Sequence, residues 1–218
     1  MPSRPDQRRQ LRARRRALSE RERLQRSDAL CRQLARQNLF RSASRIAAYL
    51  PQDGEVDTQA VIELCWSTGK QVYLPVLVPF LHNRLWFARY RPDTRLVRNR
   101  FGIAEPEIVH RERIESHALD LVLAPLVGFD RHGNRLGMGG GFYDRSFAFL
   151  LGRKYWRKPQ LVGLAYEFQQ LPSLPPQPWD VPLTAVATEK DWFQFQLSLI
   201  HISEPTRLKT RSRMPSSA

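Results

Sequence analysis

The chain has 218 residues, 42% of them hydrophobic, and carries a formal net charge of +14. That length suits one globular domain with a hydrophobic core, and the composition argues against a disordered chain. No apolar run approaches the roughly 18 residues of a membrane-spanning helix, and the arginine-rich N-terminus lacks the apolar centre of a secretory signal. We therefore expect a cytoplasmic protein without a membrane partner, in which Cys31 and Cys65 are reduced thiols.

Two helices are predicted at the start of the chain. Residues 6–17 are rich in Arg, Gln, Leu and Ala, which favour helix. Ser19 and Glu22 have the spacing of a capping box, which predicts a second helix over residues 20–37. The apolar stripe of this second helix would consist of Leu24, Ala29 or Leu30, and Leu34.

The rest of the chain alternates predicted strands with predicted helices. A helix would begin at Asp57 or Thr58 and end at Gly69, and a later one would cover residues 142–151. Residues 92–117 are expected to be mostly loop. Strands are predicted over residues 45–50, 71–76, 84–90, 119–126, 161–166 and 185–188. Such alternation indicates an α/β sandwich.

A glycine-rich segment at residues 128–145 is the most specific feature of the sequence. It follows a buried-strand pattern, precedes a helix that begins near Gly141 or Phe142, and holds four glycines between Gly137 and Gly141. A strand, a glycine loop and a helix together offer backbone N–H groups to an anion. The spacing matches neither a P-loop nor a dinucleotide-binding fingerprint. The alternative, a flexible surface turn, does not account for the specific residues on either side.

The wider string carries a family resemblance. Its matching residues are Phe129, Asp130, Gly133, Arg135, Leu136, Gly137, Gly139, Gly141, Tyr143 and Asp144. This string resembles the signature of the 5-formyltetrahydrofolate cyclo-ligase family, and further likeness runs from about Arg4 to about Glu189. The resemblance implies a mixed sheet sandwiched between helices, similar to the fold of sugar-phosphate isomerases and CoA transferases.

The last part of the chain differs in character from the rest. We expect residues 1–195 to form a single domain. Residues 196–218 continue no pattern of the family and resemble the translation of a sequencing adapter. We therefore interpret them as a tail that is disordered or artefactual.

The resemblance also implies a nucleotide site. In the family, Arg4 and Arg8 would fall at positions that contact the ATP phosphates, and Asp144 would bind Mg²⁺. Arg135, Tyr143 and Asp144 would be the catalytic residues. The loop that binds ATP would comprise Arg135, Gly137, Met138, Gly139, Gly140, Gly141, Phe142 and Tyr143. Some members carry Arg and Lys where this chain has Met138 and Gly140, and many carry a second metal-side aspartate where it has Thr184.

A folate site is implied on the other side. Leu50 and Glu55 align with positions that contact the folate, and Glu55 could accept hydrogen bonds from the amino-pyrimidinone edge of a pterin. Taken alone, Glu55 would be a surface glutamate, and its place just after the strand that carries Leu50 makes the two interpretations even. Glu105 is a further candidate, whereas Trp86 and Phe87 could wall the pterin but fit core packing better.

The predicted function is that of an ATP- and Mg²⁺-dependent enzyme that cyclises 5-formyltetrahydrofolate to 5,10-methenyltetrahydrofolate. ATP and the folate are strong anions that a basic site attracts. We expect no nucleic-acid partner and a monomer or weak dimer. One alternative is a basic nucleic-acid-binding module that uses the N-terminal arginines. Another is an isomerase or transferase of the same fold class, which would need a nucleophile that the sequence does not reveal.

Overall fold

A computed structural model describes residues 2–78, 83–107, 113–152 and 158–195. Within these ranges the helices are α1 (Arg4–Arg16), α2 (Glu20–Ala35), α3 (Asn38–Ser42), α4 (Gln59–Ser67) and α5 (Phe142–Phe147). The strands are β1 (Arg45–Ala47), β2 (Gln71–Leu77), β3 (Leu85–Tyr90), β4 (Leu96–Arg98), β5 (Ala104–Pro106), β6 (Arg113–Ile114), β7 (Leu121–Pro125), β8 (Gly128–Phe129), β9 (Arg135–Leu136), β10 (Gln160–Leu164), β11 (Ala185–Ala187) and β12 (Trp192–Gln194).

The centre of the molecule is a mixed sheet of eight strands in the order β12-β11-β10-β7-β1-β2-β3-β6. The strands from β11 to β2 in this order run parallel to one another, and antiparallel pairs form at both edges. Two further strand pairs, β4 with β5 and β8 with β9, lie outside this sheet. The predicted mixed α/β architecture is therefore confirmed.

The side chains of β7 show why the sheet has helices on both faces. Leu121 and Leu123 belong to one buried cluster, which includes residues of α2 and α4. Val122 and Ala124 point to the opposite face, where Phe147 of α5 is part of a second cluster. Alternate residues of a strand face opposite sides, so an unbroken apolar run marks a strand that is covered on both.

The local helix signals are confirmed. Ser19 and Glu22 form both hydrogen bonds of the capping box, and α2 begins at Glu20 as expected. Leu30 and Leu34 are buried, but Leu24 is 48% exposed, so its place in the apolar stripe was wrong. No helix in the described ranges is long and apolar enough to cross a membrane. Cys31 and Cys65 are free, and burial raises the pKa of Cys65 to about 12.

Several short elements differ from the expectation. Residues 92–117 contain β4, β5 and β6 instead of mostly loop, and β12 was not predicted. The α-helix expected over residues 142–151 ends at Phe147, and a short 3₁₀ helix follows it at Ala148–Leu150. Strands of two or three residues are too short to show a periodicity of two. Here β4 and β5 pair with each other, β6 pairs with β3, and β12 pairs with β11. The tail at residues 196–218 lies outside the described residues.

Candidate active site

A cleft of about 940 Å³ opens beside the carboxyl ends of the central parallel strands. Leu50 follows β1 and Leu126 follows β7, and both line this cleft. In open α/β sheets, ligands bind at this edge because the loops that follow the strands meet there. The cleft brings together all the predicted site residues: Arg4, Arg8, Leu50, Glu55, Glu105, Arg135, Gly137, Met138, Gly139, Gly140, Gly141, Phe142, Tyr143 and Asp144.

The glycine segment begins as a hairpin, in which β8 pairs antiparallel with β9. Fully buried Asp130 organises its turn by accepting hydrogen bonds from the backbone N–H of His132 at 2.9 Å and of Asn134 at 3.0 Å. Asp130 also accepts from the Asn134 side chain at 2.9 Å and from the Leu174 N–H at 2.9 Å. Arg135 and Leu136 are thereby placed on a rigid strand that leads into the loop.

The loop from Gly137 to Gly141 is the exposed continuation of this hairpin. Gly139 has a φ of 105° and Gly141 a φ of 67°, a backbone region that other residues rarely adopt. A Cβ on Gly139 would meet nothing within 4 Å, so backbone conformation and not crowding explains this glycine. Arg145 donates to the Gly140 carbonyl at 2.9 Å, and so does the Asn83 side chain at 2.8 Å.

Arginine and aspartate side chains are paired along the part of the cleft where the resemblance predicts the nucleotide. Arg135 donates to Asp144, which also accepts from the Val181 N–H at 3.2 Å. Arg4 contacts Asp180 at 2.9 Å, and Arg8 donates to the Gly137 carbonyl at 2.8 Å. Each carboxylate thus has a backbone or arginine donor that fixes its direction.

Asp180 is a functional candidate that the sequence reasoning missed. The resemblance pointed instead to position 184 for a second carboxylate near the metal. Thr184, which stands there, accepts a hydrogen bond from the Leu161 N–H at 3.3 Å and does not line the cleft. Asp180 does line the cleft, and the Gln177 N–H donates to it at 2.9 Å. A signal for it was the string Trp179-Asp180-Val181-Pro182, which places a carboxylate shortly before a buried strand.

The predicted folate residues line the same cleft. The Glu55 side chain is 11% exposed and accepts from the Gln52 N–H at 3.1 Å. Burial raises the pKa of Glu55, although Arg15 acts in the opposite direction. Buried Glu105 accepts from the Asn99 side chain at 2.9 Å and from the Leu77 N–H at 3.3 Å.

Tyr143 has Arg135 as one neighbour and Glu55 as another. The Arg135 guanidinium lies 5.5 Å from the centre of its ring. Burial and the neighbouring Glu55 raise the pKa of Tyr143, so its phenol remains neutral. A neutral phenol can donate a hydrogen bond to an oxygen that gains negative charge.

Aromatic and aliphatic side chains complete the rim. Among the described residues, the exposed large apolar side chains that line the cleft are Phe101, Ile103, Met138, Leu151 and Trp179. Phe87, by contrast, is buried in the core, and Trp86 carries the Arg113 guanidinium at 3.8 Å from its ring centre. The sequence-based preference for core packing is therefore confirmed for Phe87.

Several of the N-terminal arginines pair with carboxylates of the domain. Arg12 contacts Asp53 at 2.7 Å, and Arg15 contacts the same carboxylate at 2.8 Å. Arg15 is only 1% exposed. These pairs, with that of Arg4, direct much of the positive charge of α1 into the domain.

Comparisons with known proteins agree with this site. Residues 1–189 match the sequence model of the 5-formyltetrahydrofolate cyclo-ligase family. The 5-formyltetrahydrofolate cyclo-ligase of Haemophilus influenzae is 48% identical over 145 residues, which cover 66% of this chain and 74% of the relative. That of Escherichia coli K12 is 46% identical over 153 residues, covering 69% and 81%. The NMR structure of Aquifex aeolicus 5,10-methenyltetrahydrofolate synthetase superposes with a TM-score of 0.74 at 32% identity, covering 92% of this chain and 97% of that one.

Proposed function

The chain belongs to the 5-formyltetrahydrofolate cyclo-ligase family, and we propose that it closes 5-formyltetrahydrofolate to 5,10-methenyltetrahydrofolate with ATP, releasing ADP and phosphate. The observation that carries this proposal is the single cleft described above. It combines a glycine loop, paired arginines and aspartates, and a partly apolar wall. Phosphoryl transfer needs positioning and charge neutralisation more than it needs a protein nucleophile.

The arginine–aspartate pairs suit a magnesium nucleotide. Its phosphates are anions that Arg4, Arg8 and Arg135 can contact, and its metal ion is a cation that Asp144 and Asp180 can bind. When the nucleotide binds, a paired arginine would exchange its aspartate for a phosphate, and the aspartate would exchange its arginine for the metal ion. No carboxylate or guanidinium would then lack a counter-charge.

The carboxylates present fit Mg²⁺ rather than a fully protein-bound metal. No cluster of three or more His, Cys, Asp or Glu side chains suitable for a metal occurs in the described ranges. Mg²⁺ commonly uses one or two carboxylates and completes its octahedron with water and substrate phosphates. Asp144 and Asp180 would hold the ion, which supplies neutralisation of phosphate charge.

The opposite wall suits a reduced folate. The Glu55 carboxylate would accept hydrogen bonds from the N–H groups of the pterin edge, with Leu50 against the ring. Phe101 and Ile103 offer apolar surface for the remaining aromatic part of the molecule. Glu105 holds the Asn99 side chain and the β2 backbone, which would keep this wall in shape.

The family resemblance implies the course of the reaction. The formyl oxygen attacks the γ-phosphorus, and the bond to ADP breaks. N10 of the folate then attacks the activated formyl carbon, the carbon–oxygen bond breaks with release of phosphate, and N10 loses its proton. Arg8 and Arg135 would stabilise the charge on the transferred group, and the Tyr143 phenol would donate to an oxygen of the activated formyl group.

A direct assay tests the proposal. Purified protein is mixed with 5-formyltetrahydrofolate, ATP and Mg²⁺, and the methenyl product is followed by its absorbance. We expect product that depends on both ATP and enzyme, with one ADP formed for each folate converted. Absence of product, or product formation at the same rate without ATP, would contradict the proposal.

A further inference from the structure

Arg15 is a buried cation beneath the folate wall of the cleft. It lies in the last turn of α1, and its side chain is 1% exposed. Its guanidinium donates to the Asp53 carbonyl at 2.8 Å, to the Asp53 carboxylate at 2.8 Å and to the Leu126 carbonyl at 3.3 Å. One of its nitrogens lies 3.7 Å from the Glu55 carboxylate. Arg15 thus joins the helix, the end of β7 and the turn that presents Glu55.

Asp53 and Glu55 differ in how many cations contact them, which indicates a specific role for Arg15. Asp53 is also contacted by Arg12 at 2.7 Å and by Arg16 at 3.4 Å, so it does not depend on Arg15 for a counter-charge. For Glu55, Arg15 is the cation within ion-pair distance in the described part of the chain. Burying an arginine costs folding free energy unless its charge is paired and its N–H groups are hydrogen-bonded. Among the described ion pairs of Arg15, Glu55 is the carboxylate that no second cation contacts.

We propose that Arg15 is a positioning residue that, from outside the cleft, keeps Glu55 ionised and directed at the pterin. This inference rests on the proposed folate-binding role of Glu55. The turn supports it, because Asp53 and Gly54 both have positive φ. A Cβ on Gly54 would approach the Arg15 carbonyl oxygen to 2.9 Å, so the turn is packed directly against the backbone of α1.

The proposal predicts a pH signature. Burial raises the pKa of Glu55, and Arg15 is the first of the influences that lower it. Removing the positive charge at position 15 therefore raises this pKa further. The affinity for folate should then weaken at a higher pH than in the wild-type enzyme, because a protonated Glu55 accepts fewer hydrogen bonds.

Other groups near Glu55 do not titrate in the same range. Burial raises the pKa of Tyr49 and of Tyr143, so both stay neutral below neutral pH. Burial alone would raise the pKa of Asp53, but hydrogen bonds from Arg12 and Arg15 lower it below its ordinary value. Tyr166, whose hydroxyl donates to the Glu55 carbonyl at 3.2 Å, has a pKa raised to about 12. The groups that face Glu55 are thus Arg12, Arg15, Asp53, Tyr49, Tyr143 and Tyr166.

The experiment compares the KM for 5-formyltetrahydrofolate and for ATP from about pH 5 to pH 8, the range that covers a raised carboxyl pKa. The variants are Arg15→Met, Arg15→Lys, Glu55→Gln and the double variant Arg15→Met/Glu55→Gln. Arg12→Met is the matched control, because Arg12 contacts Asp53 but has no ion pair with Glu55 among the described contacts.

The expected result separates the two substrates. Arg15→Met should raise the KM for folate about tenfold at the acid end, as one unit of pKa shift would do. The KM for ATP and the alkaline kcat should stay within about twofold, well under 1 kcal/mol. Arg15→Lys should restore part of the acid-side affinity, and Arg12→Met should shift the pH profile less than Arg15→Met, because Arg12 lowers the pKa of Glu55 less than Arg15 does. Adding Arg15→Met to Glu55→Gln should change nothing further.

Other outcomes would overturn the inference. An unchanged pH profile of the folate KM in Arg15→Met would mean that Arg15 only supports packing. If the Met variant does not fold, Arg15→Gln, which keeps hydrogen-bond donors without the charge, takes its place in this comparison. An equal rise of both KM values with a lower thermal midpoint would mean the same. A wild-type folate KM in Glu55→Gln would remove the premise about Glu55, whereas a wild-type protein that makes no methenyl product would fail the proposed function itself.

Discussion

The glycine-rich segment divides into two regions that behave differently. Residues 128–136 form a buried hairpin, whereas residues 137–145 form an open loop and the start of α5 that line the cleft. Each region contains one aspartate. Asp130 is fully buried and accepts only from uncharged N–H groups, while Asp144 lies in the cleft and accepts from the Arg135 guanidinium.

This difference shows that one continuous signature serves two purposes. Asp130 satisfies donors of the hairpin turn and of Leu174, so it maintains a shape. Asp144 lines the cleft of about 940 Å³, so it is accessible to a ligand. A family signature therefore need not consist of binding residues alone, and substitutions can separate those that build the site from those that use it.

The largest effect should follow from removal of Asp130. Asp130→Ala leaves the N–H groups of His132, Asn134 and Leu174 without their acceptor. The Leu174 N–H is buried, and an unsatisfied buried donor costs roughly 1–3 kcal/mol. We expect unfolding in urea to show a loss of about 3 kcal/mol or more, as several donors are affected. Asp130→Asn keeps one acceptor oxygen and should lose less. Unchanged stability with lost activity would mean that Asp130, like Asp144, acts on the ligand and does not maintain the hairpin.

Asp144→Asn should have the opposite profile. We expect turnover to fall about a hundredfold, or about 2.7 kcal/mol, because a charged ligand of the metal is lost where phosphate charge must be neutralised. The thermal midpoint should change little, since Asn can still accept from the Val181 N–H. A fall in activity of less than about threefold, roughly 0.6 kcal/mol, would argue against the metal role.

Arg8 tests the loop from the side of α1. Arg8→Ala removes a donor to the Gly137 carbonyl and a proposed contact to phosphate. A charge-assisted hydrogen bond contributes roughly 1.5–3 kcal/mol, so we expect the KM for ATP to rise about ten- to hundredfold and that for folate to rise less. Arg21→Ala, at an exposed position of α2, is the control and should have little effect. Small and equal effects at both positions would indicate an ordinary solvated basic surface.

The smallest effect is expected at the end of the chain. Phe195 packs beside Gly133 in the hairpin, and its N–H donates to the Thr184 carbonyl at 2.9 Å. A chain that ends at Phe195 should keep its thermal midpoint and its turnover. A chain that ends at Asp191 loses β12 and the contact of Phe193 with Phe129, whose ring centres lie 5.4 Å apart, and should be destabilised. A drop of several degrees for the chain that ends at Phe195 would show that residues beyond it contribute to the domain.

The sequence alone determined the features that depend on neighbouring residues. The capping box before α2, the apolar run of β7 and the glycine loop before α5 all follow from local conformational rules. The family resemblance also named many of the residues that line the cleft. These signals suffice because each is complete within a few consecutive positions.

Only the tertiary structure decided which distant groups meet. Arg4 and Asp180 are 176 positions apart, and Arg15 and Leu126 are 111 positions apart, so no local pattern pairs them. The same holds for Leu24, whose exposure depends on what packs against α2. The periodicity of a sequence predicts which side chains lie on the same face of a helix or strand. The burial and the partners of each side chain depend on long-range packing. For that reason the sequence indicated a basic helix, and the fold buried one of its arginines 3.7 Å from the Glu55 carboxylate.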